Sequence, residues 1–417
     1  MRKYARYKNS GISWIGDVPE HWNVVRNKNF IDEKDEVVGE KFGDYTLLSL
    51  TKGGVIARDV ESGKGKFPKD FDSYKIVQPG NVIFCLFDVD ETPRTVGLSS
   101  LKGMITGAYD VFEPVNINAR YYTYYFLAVD DRKALRPLYT GLRKVVKKDR
   151  FLACKIPVPP LSEQKAIAEY LDKKTAQINE LVSAKQKQIE LLKEYKQSVI
   201  ANAVTGKLDE RREKRKWKDS GISWIGKIPE NWEVDKLGHR FIQRKEKVSD
   251  KDYPPLSVSK MGVTPQLESA CKTDDGDNRK LVLKGDFVVN SRSDRKGSCG
   301  LSELDGSVSL INIVATPRNI DGHYIHYLFR SSNYIEEFYR MGRGIVADLW
   351  TTRWSEMRTI MIPVPPLSEQ KEIVAYIEKK VASIDSQIAT IDNQIANLNE
   401  YRQSLISEVV TGKVKVC

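Results

Sequence analysis

The stretch IPVPPLSEQK at Ile156–Lys165 returns letter for letter at Ile362–Lys371, and the fold is read outward from it. Downstream, VTGK at Val204–Lys207 returns at Val410–Lys413. Upstream, SGISWIGDVPEHW at Ser10–Trp22 returns as SGISWIGKIPENW at Ser220–Trp232. Both tail blocks are offset by 206 residues (362 against 156), whereas the head block is offset by 210 (220 against 10). Ordered blocks with a fixed tail spacing identify an internal duplication. The tail of each copy is constant in length, and the interior between the anchors has drifted.

Fainter echoes cross that interior. LSLTKGGV at Leu48–Val55 pairs with LSVSKMGV at Leu256–Val263, and YYTYYF at Tyr121–Phe126 with HYIHYL at His323–Leu328. PGNVIF at Pro79–Phe84 pairs with KGDFVV at Lys284–Val289, in each case a turn followed by an apolar strand. Short strands mixed with helical stretches predict α/β (α+β) interiors, present as two tandem copies.

The tails read differently. After each VPP, Ser162 and Ser368 are expected N-caps, and Glu163 and Glu369 lie at the positive end of the helix that follows. In the second copy Ile384, Ile388, Ile391, Ile395, Leu398 and Leu405 fall at heptad spacing, with Arg402 at the missing step. In the first copy Ile178, Val182, Ile189, Leu192 and Val199 fall at matching positions, interrupted by Lys185 and Lys196. Each seam predicts a helix of about 40 residues, roughly 60 Å long. So long a seam needs a partner, and the two helices are expected to pair antiparallel as a coiled coil, giving the copies a pseudo-two-fold relation.

Formal charge is +11 over 417 residues. The helical segments 162–207 and 368–413 carry opposite and cancelling excesses, so the positive charge belongs to the rest. A basic excess in the variable interiors points to nucleic acid. Base and phosphate contacts call for Arg, Lys, Asn and Thr on loops. In the first copy the candidates are Lys52, Arg94, Thr95, Arg143, Lys144, Lys147 and Lys148, with Arg150 in the same run. In the second they are Lys260, Asn290, Arg292, Arg295, Lys296, Arg343 and Arg353, with Asp294 among them. The run at 214–218 reads as linker. Trp14, Trp22, Trp224 and Trp232 recur in both copies and read as packing residues.

Other chemistries find no motif. Five scattered cysteines (Cys85, Cys154, Cys271, Cys299, Cys417) without a CxxC pair argue against zinc and disulfides and for a reducing cytoplasm. His323 and His326 lack companions for a metal site. No apolar run is long enough for a membrane span, and the basic N-terminus lacks the apolar core of a signal peptide. Gly63-Lys64-Gly65-Lys66 lacks the spacing of a phosphate-binding loop, and no amino-methyltransferase or nuclease signature appears.

WIGxxPExW opening each copy, PVPPLSEQ closing each interior and a heptad helix ending in VTGK together resemble the specificity subunits of type I restriction-modification enzymes. That resemblance implies target recognition domains at Met1–Lys155 and Leu208–Met361, each reading half of a bipartite site on double-stranded DNA. It implies spacer helices at Ile156–Lys207 and Ile362–Cys417. It also implies two methyltransferase (modification) subunits and two restriction/translocase subunits as partners. S-adenosylmethionine, ATP and Mg would be held by those partners, and this chain would carry no cofactor and no catalysis. The alternative is a specificity subunit of a methyltransferase-only or non-type-I restriction assembly.

Overall fold

The computed structural model describes residues 2–58, 71–207, 216–266, 275–292, 295–344 and 350–416. The 63–66 run, Cys271, Asp294, Cys417 and residues 214–215 lie outside the described residues. The chain divides into two compact units, one made of Met1–Lys185 with Asn393–Cys417, the other of Gln186–Asp392.

The first unit holds a four-stranded antiparallel sheet. Its strands, in spatial order, are Ile31–Glu33, Asp110–Pro114, Val82–Phe84 and Val96–Leu98. Val82, Ile83 and Phe84 are all buried, as the PGNVIF run predicts. One face packs on the helix Ala119–Asp131, where Phe84, Tyr122, Phe126 and Phe151 interlock with ring centroids 4.8–6.3 Å apart. The other face supports the hairpin Leu48–Thr51 with Gly54–Ala57, through a small core of Leu48, Val77, Ile83, Ile105 and Val111. The second unit repeats this order with Phe241–Gln243, Asn312–Pro317, Phe287–Asn290 and Cys299–Leu301. Its helix Gly322–Arg330 packs Phe329 on Phe287 with centroids 4.8 Å apart.

The repeated anchors meet inside each unit. Trp22 and Trp232 are fully buried, while Trp14 and Trp224 pack partly buried against the same cores. Gly412 turns the chain at φ +72°, so close to Pro19 and Trp22 that a Cβ would collide with the proline ring. Gly206 does the same against Pro229 and Trp232 at φ +77°. A side chain there would be strained twice over, by conformation and by space.

The tails form helices Leu161–Val204 and Leu367–Val410, 44 residues each. Each opens at Leu161 or Leu367, not at the serine expected to cap it. The carbonyls of Pro160 and Pro366 accept from Gln164 N and Gln370 N, so the proline takes the capping position and Ser162 and Ser368 lie within the first turn. None of the seam positions is exposed. Ile178, Ile189, Val199, Ile384, Ile391 and Leu405 are buried, and Val182, Leu192, Ile388, Ile395 and Leu398 are half-buried. The polar interruptions reach across to the other helix. In the first unit Arg402 Nη1 donates to Asn179 Oδ1 and Lys185 Nζ to Gln394 Oε1, each at 2.6 Å. In the second, Lys196 Nζ contacts both oxygens of Asp385 at 2.8 Å. Partner numbers fall on one helix as they rise on the other, so within the first unit the stretches run in opposite directions. No helix is long and apolar enough to cross a membrane among the described residues.

Candidate nucleic-acid interface

In both units two sequence-distant stretches are tied together. One is the loop after the central strand; the other is the segment before the tail anchor. In the first unit Val146 N donates to Leu86 O and Asp88 N to Arg143 O, both at 2.8 Å. In the second, Thr352 N donates to Ser291 O at 3.0 Å, and Thr351 bridges to both Arg292 and Arg343. Candidates some fifty residues apart in sequence therefore share one surface.

The first unit spends much of its positive charge internally, because its loop Phe87–Thr92 is acidic. Arg143 Nη2 lies 2.7 Å from Asp88 Oδ2, and its guanidinium sits 5.4 Å from the centre of the Phe87 ring. Lys144 Nζ lies 3.4 Å from Asp90 Oδ2 and 3.8 Å from Glu91 Oε1. Burial pushes the Asp90 carboxyl up, but hydrogen bonds from Arg136, Lys144 and Tyr139 outweigh it and hold the group below the usual range. Lys148 pairs with Glu33 and, at 3.2 Å, with Asp110.

Arg94 and Thr95 turn inward. Arg94 Nη1 contacts Asp130 Oδ2 at 3.1 Å and Asp131 Oδ1 at 2.9 Å. The backbone N–H of Thr95 also donates to Asp130, and Lys133 Nζ contacts it at 2.8 Å. Asp130 is buried, and removing a partner from a buried charge is costly. Thr95 itself is 5 % exposed, so it presents no side chain to a ligand. Lys52, at the hairpin tip, and Lys147 are exposed, and neither has an ion-pair partner among the described residues. Lys52 and Gly53 edge a cleft of about 260 Å³ with Arg94 on its wall.

The second unit keeps its positive charge outward. Arg292, Arg295, Arg343 and Arg353 are exposed. Asn290 Oδ1 accepts from Arg292 N at 3.1 Å, fixing the start of the loop. Lys296 Nζ lies 3.9 Å from the centre of the Tyr339 ring and 3.1 Å from Glu336 Oε1. Arg343 Nε reaches Glu356 at 3.6 Å, yet its side chain is 83 % exposed. Lys260 stands at an exposed hairpin tip matching Lys52.

Arg353 also edges an open cleft of about 890 Å³ lined by Lys236, His239, Lys280 and Arg358. Sequence reasoning missed these four. The repeat held a signal: Lys236 sits at the head-anchor offset from Arg26, so a basic residue recurs there. No group of His, Cys, Asp and Glu able to hold a metal occurs among the described residues.

Comparison with known proteins agrees with this architecture. The family model "Type I restriction modification DNA specificity domain" matches residues 105–191, from the first unit's sheet into the first long helix. The putative type I restriction enzyme MjaX specificity subunit of Methanocaldococcus jannaschii is 25% identical over 454 residues, covering 100% of this chain and 99% of the relative. The MjaVIII specificity subunit of the same organism is 26% identical, covering 96% of this chain and 94% of its own. In fold, a chain of a solved type I R-M system superposes with TM-score 0.66 at 14% identity, over 95% of this chain and 99% of that one. The HsdS subunit of Thermoanaerobacter tengcongensis superposes with TM-score 0.52 at 15% identity, over 95% and 98%. The chain is thus similar, along nearly its whole length, to specificity subunits of type I restriction-modification enzymes.

Proposed function

We propose that the chain is the non-catalytic, sequence-reading subunit of a type I restriction-modification complex acting in the cytoplasm. Two recognition domains, 1–155 and 208–361, each read half of a bipartite site on duplex DNA. Spacer helices 156–207 and 362–417 pair as an antiparallel coiled coil, set the distance between half-sites and relate the domains by a pseudo-two-fold axis. The helices also offer the docking face for two methyltransferase subunits, with two restriction/translocase subunits beyond them. S-adenosylmethionine, ATP and Mg act on those partners.

The observation that carries this reading is the repetition of one sheet order behind one pair of anchors, with unlike charged loops at matching places. A duplicated scaffold with divergent polar loops suits two readers of different half-sites. We assign the DNA contacts to Lys52, Lys147, Lys260, Asn290, Arg292, Arg295, Lys296, Arg343 and Arg353, which lie in or beside the loops of the two interiors. Co-purification with a candidate methyltransferase, followed by genome-wide mapping of methylated sites, tests the reading. A bipartite methylated motif that appears only when this chain is present supports it. Methylation at the same sites without the chain overturns it.

A further inference from the structure

The cleft edged by Arg353 has a counterpart in the first unit, and strand register identifies it residue by residue. Ile31 and Phe241 each pair with the last residue of the neighbouring strand, Pro114 and Pro317, so Glu33 stands where Gln243 does. Val77 and Val282 each face a glycine, Gly103 and Gly306, so Lys75 stands where Lys280 does. Asp110, opposite Phe84, stands where Ile313 does, opposite Val289. At the tail offset Lys147 matches Arg353 and Lys148 matches Trp354.

The same lysine therefore sits in two different environments. In the first unit Lys75 Nζ lies 2.6 Å from Asp35 Oδ1 and 3.9 Å from Asp110 Oδ1, and Lys148 pairs with Glu33 and Asp110. The carboxylates neutralise the site from within. In the second unit Gln243 and Ile313 replace Glu33 and Asp110, and among the described residues no carboxylate lines the cleft. Among the described residues Lys280 Nζ donates to the carbonyl of Asn312, at 2.6 Å, and has no ion-pair partner; its half-burial pushes its pKa down. Lys236, Arg353 and Arg358 are exposed around it, and His239 is held by Asp235 at 2.7 Å. A desolvated ammonium that shares a cleft with three exposed cations, and with no lining carboxylate among the described residues, gains most from an anion supplied from outside.

We propose that this cleft of the second unit seats a backbone phosphate of duplex DNA, and that the first unit holds no open counterpart because Glu33 and Asp110 occupy it. The inference rests on the DNA-reading function and deepens it. The two units contribute unequally to binding: the second supplies sequence-independent grip, and the first depends more on its loops. The unit whose charges are already paired releases fewer counterions from the DNA.

The test measures binding of the full-length protein to a duplex of arbitrary sequence by fluorescence anisotropy across a salt series. Each phosphate contact contributes about 0.9 to the slope of log affinity against log salt. Arg353→Gln and Gln243→Glu, the latter installing the first unit's carboxylate beside Lys280, should each flatten the slope by about one contact. Lys148→Gln, whose charge is already spent on Glu33 and Asp110, should leave it unchanged. A salt-dependent wild type whose slope is unmoved by the cleft variants, or moved as much by Lys148→Gln, overturns the inference while leaving DNA reading intact. A wild type that binds no duplex refutes the reading itself. The seat is then judged with inorganic pyrophosphate, which should protect Arg353 and Arg358 from an arginine-selective dicarbonyl reagent; lack of protection overturns it.

Discussion

Replacing Gln164 with methionine isolates the physical reason for the glutamine that recurs in both PPLSEQ blocks. Gln164 is 2 % exposed, and its side chain joins two backbones. Nε2 donates to Pro159 O and Oε1 accepts from Asn118 N, both at 2.8 Å. Asn118 in turn caps the helix Ala119–Asp131 by accepting from Tyr121 N at 3.0 Å. Methionine fills similar volume and removes both bonds, stranding the buried acceptor Pro159 O and the part-buried donor Asn118 N. At about 1–3 kcal/mol for each stranded group, the expected cost is about 2–6 kcal/mol. Gln164→Glu should do no better, since a carboxylate has no donor for Pro159 O and adds a buried charge. With two units a single melting temperature is a poor readout, so hydrogen exchange read by mass spectrometry is the assay. Protection should fall in the helix Ala119–Asp131 and its sheet, with 322–330 unaffected. Gln370→Met should show the converse, because Gln370 bonds Pro365 O and Asp321 N at 2.8 and 2.7 Å. A cost under about 1 kcal/mol, or a glutamate variant as protected as wild type, would refute the two-bond bridge.

Three further outcomes are expected. Tyr324→Phe removes a buried hydroxyl that donates within 3.0 Å of Val204 O and 3.1 Å of Pro363 O, and should cost about 1–2 kcal/mol in urea unfolding of the second unit. Ile391→Asp puts a charge on a seam position only 6 % exposed and should cost several kcal/mol, seen as lost helical circular dichroism on mild denaturation. Burial, with the nearby charges of Arg330 and His323, pulls the His326 pKa from 6.5 down to about 4. Its neutral form is favoured in the fold, so its stabilising contribution is complete above pH 6.5 and is lost as pH falls towards 4. The second unit should unfold more readily across that window, and His326→Gln should flatten the dependence in urea titrations at successive pH values.

The anchors and seams were legible because repetition and period expose them without any knowledge of contacts. Trp22 and Trp232 read as core and are fully buried. The cap was misread by two residues because Ser162 has the right chemistry, while the carbonyl that closes the first turn belongs to Pro160, which composition does not distinguish. Arg94 and Thr95 looked like loop residues because Asp130 and Asp131, which draw them inward, lie more than thirty residues on. Lys185 and Lys196 read as interruptions of a seam whose role the sequence leaves open, and each finds a polar partner almost two hundred residues away or more. Local pattern reports which face is apolar; it is silent on which distant group satisfies a charge. Lys236, Lys280 and Arg358 escaped for the same reason, since only the strand register gathers them.

What repeats and what drifts between the copies follows from which backbone groups each residue serves. Tyr121 and Tyr324 belong to the interior yet stand in matching places, one residue off the YYTYYF–HYIHYL pairing, because each hydroxyl bonds Pro157 O or Pro363 O of its own tail strand and the carbonyl of Val410 or Val204 at a long helix's end. Losing the ring or the hydroxyl would loosen the junction of head and tail anchors, where Gly412 and Gly206 leave no space for adjustment. The sheet interior instead settles the same task by different chemistry. Lys34 pairs with Glu113 at 2.6 Å in the first unit; at the matching place Arg244 meets Asp286 at 2.6 Å, with Thr316 in Glu113's position. A charge pair needs only complementary partners, so it can be exchanged as a set, whereas a bond to a backbone carbonyl fixes one residue at one place. Loop residues such as Arg143, paired with Asp88, and the exposed Arg292 meet at most the exchangeable constraint besides their own backbone ties. They were free to diverge, Arg143 paired with an acidic loop in one copy and Arg292 exposed in the other, and divergence of that kind is what two readers of unlike half-sites would require.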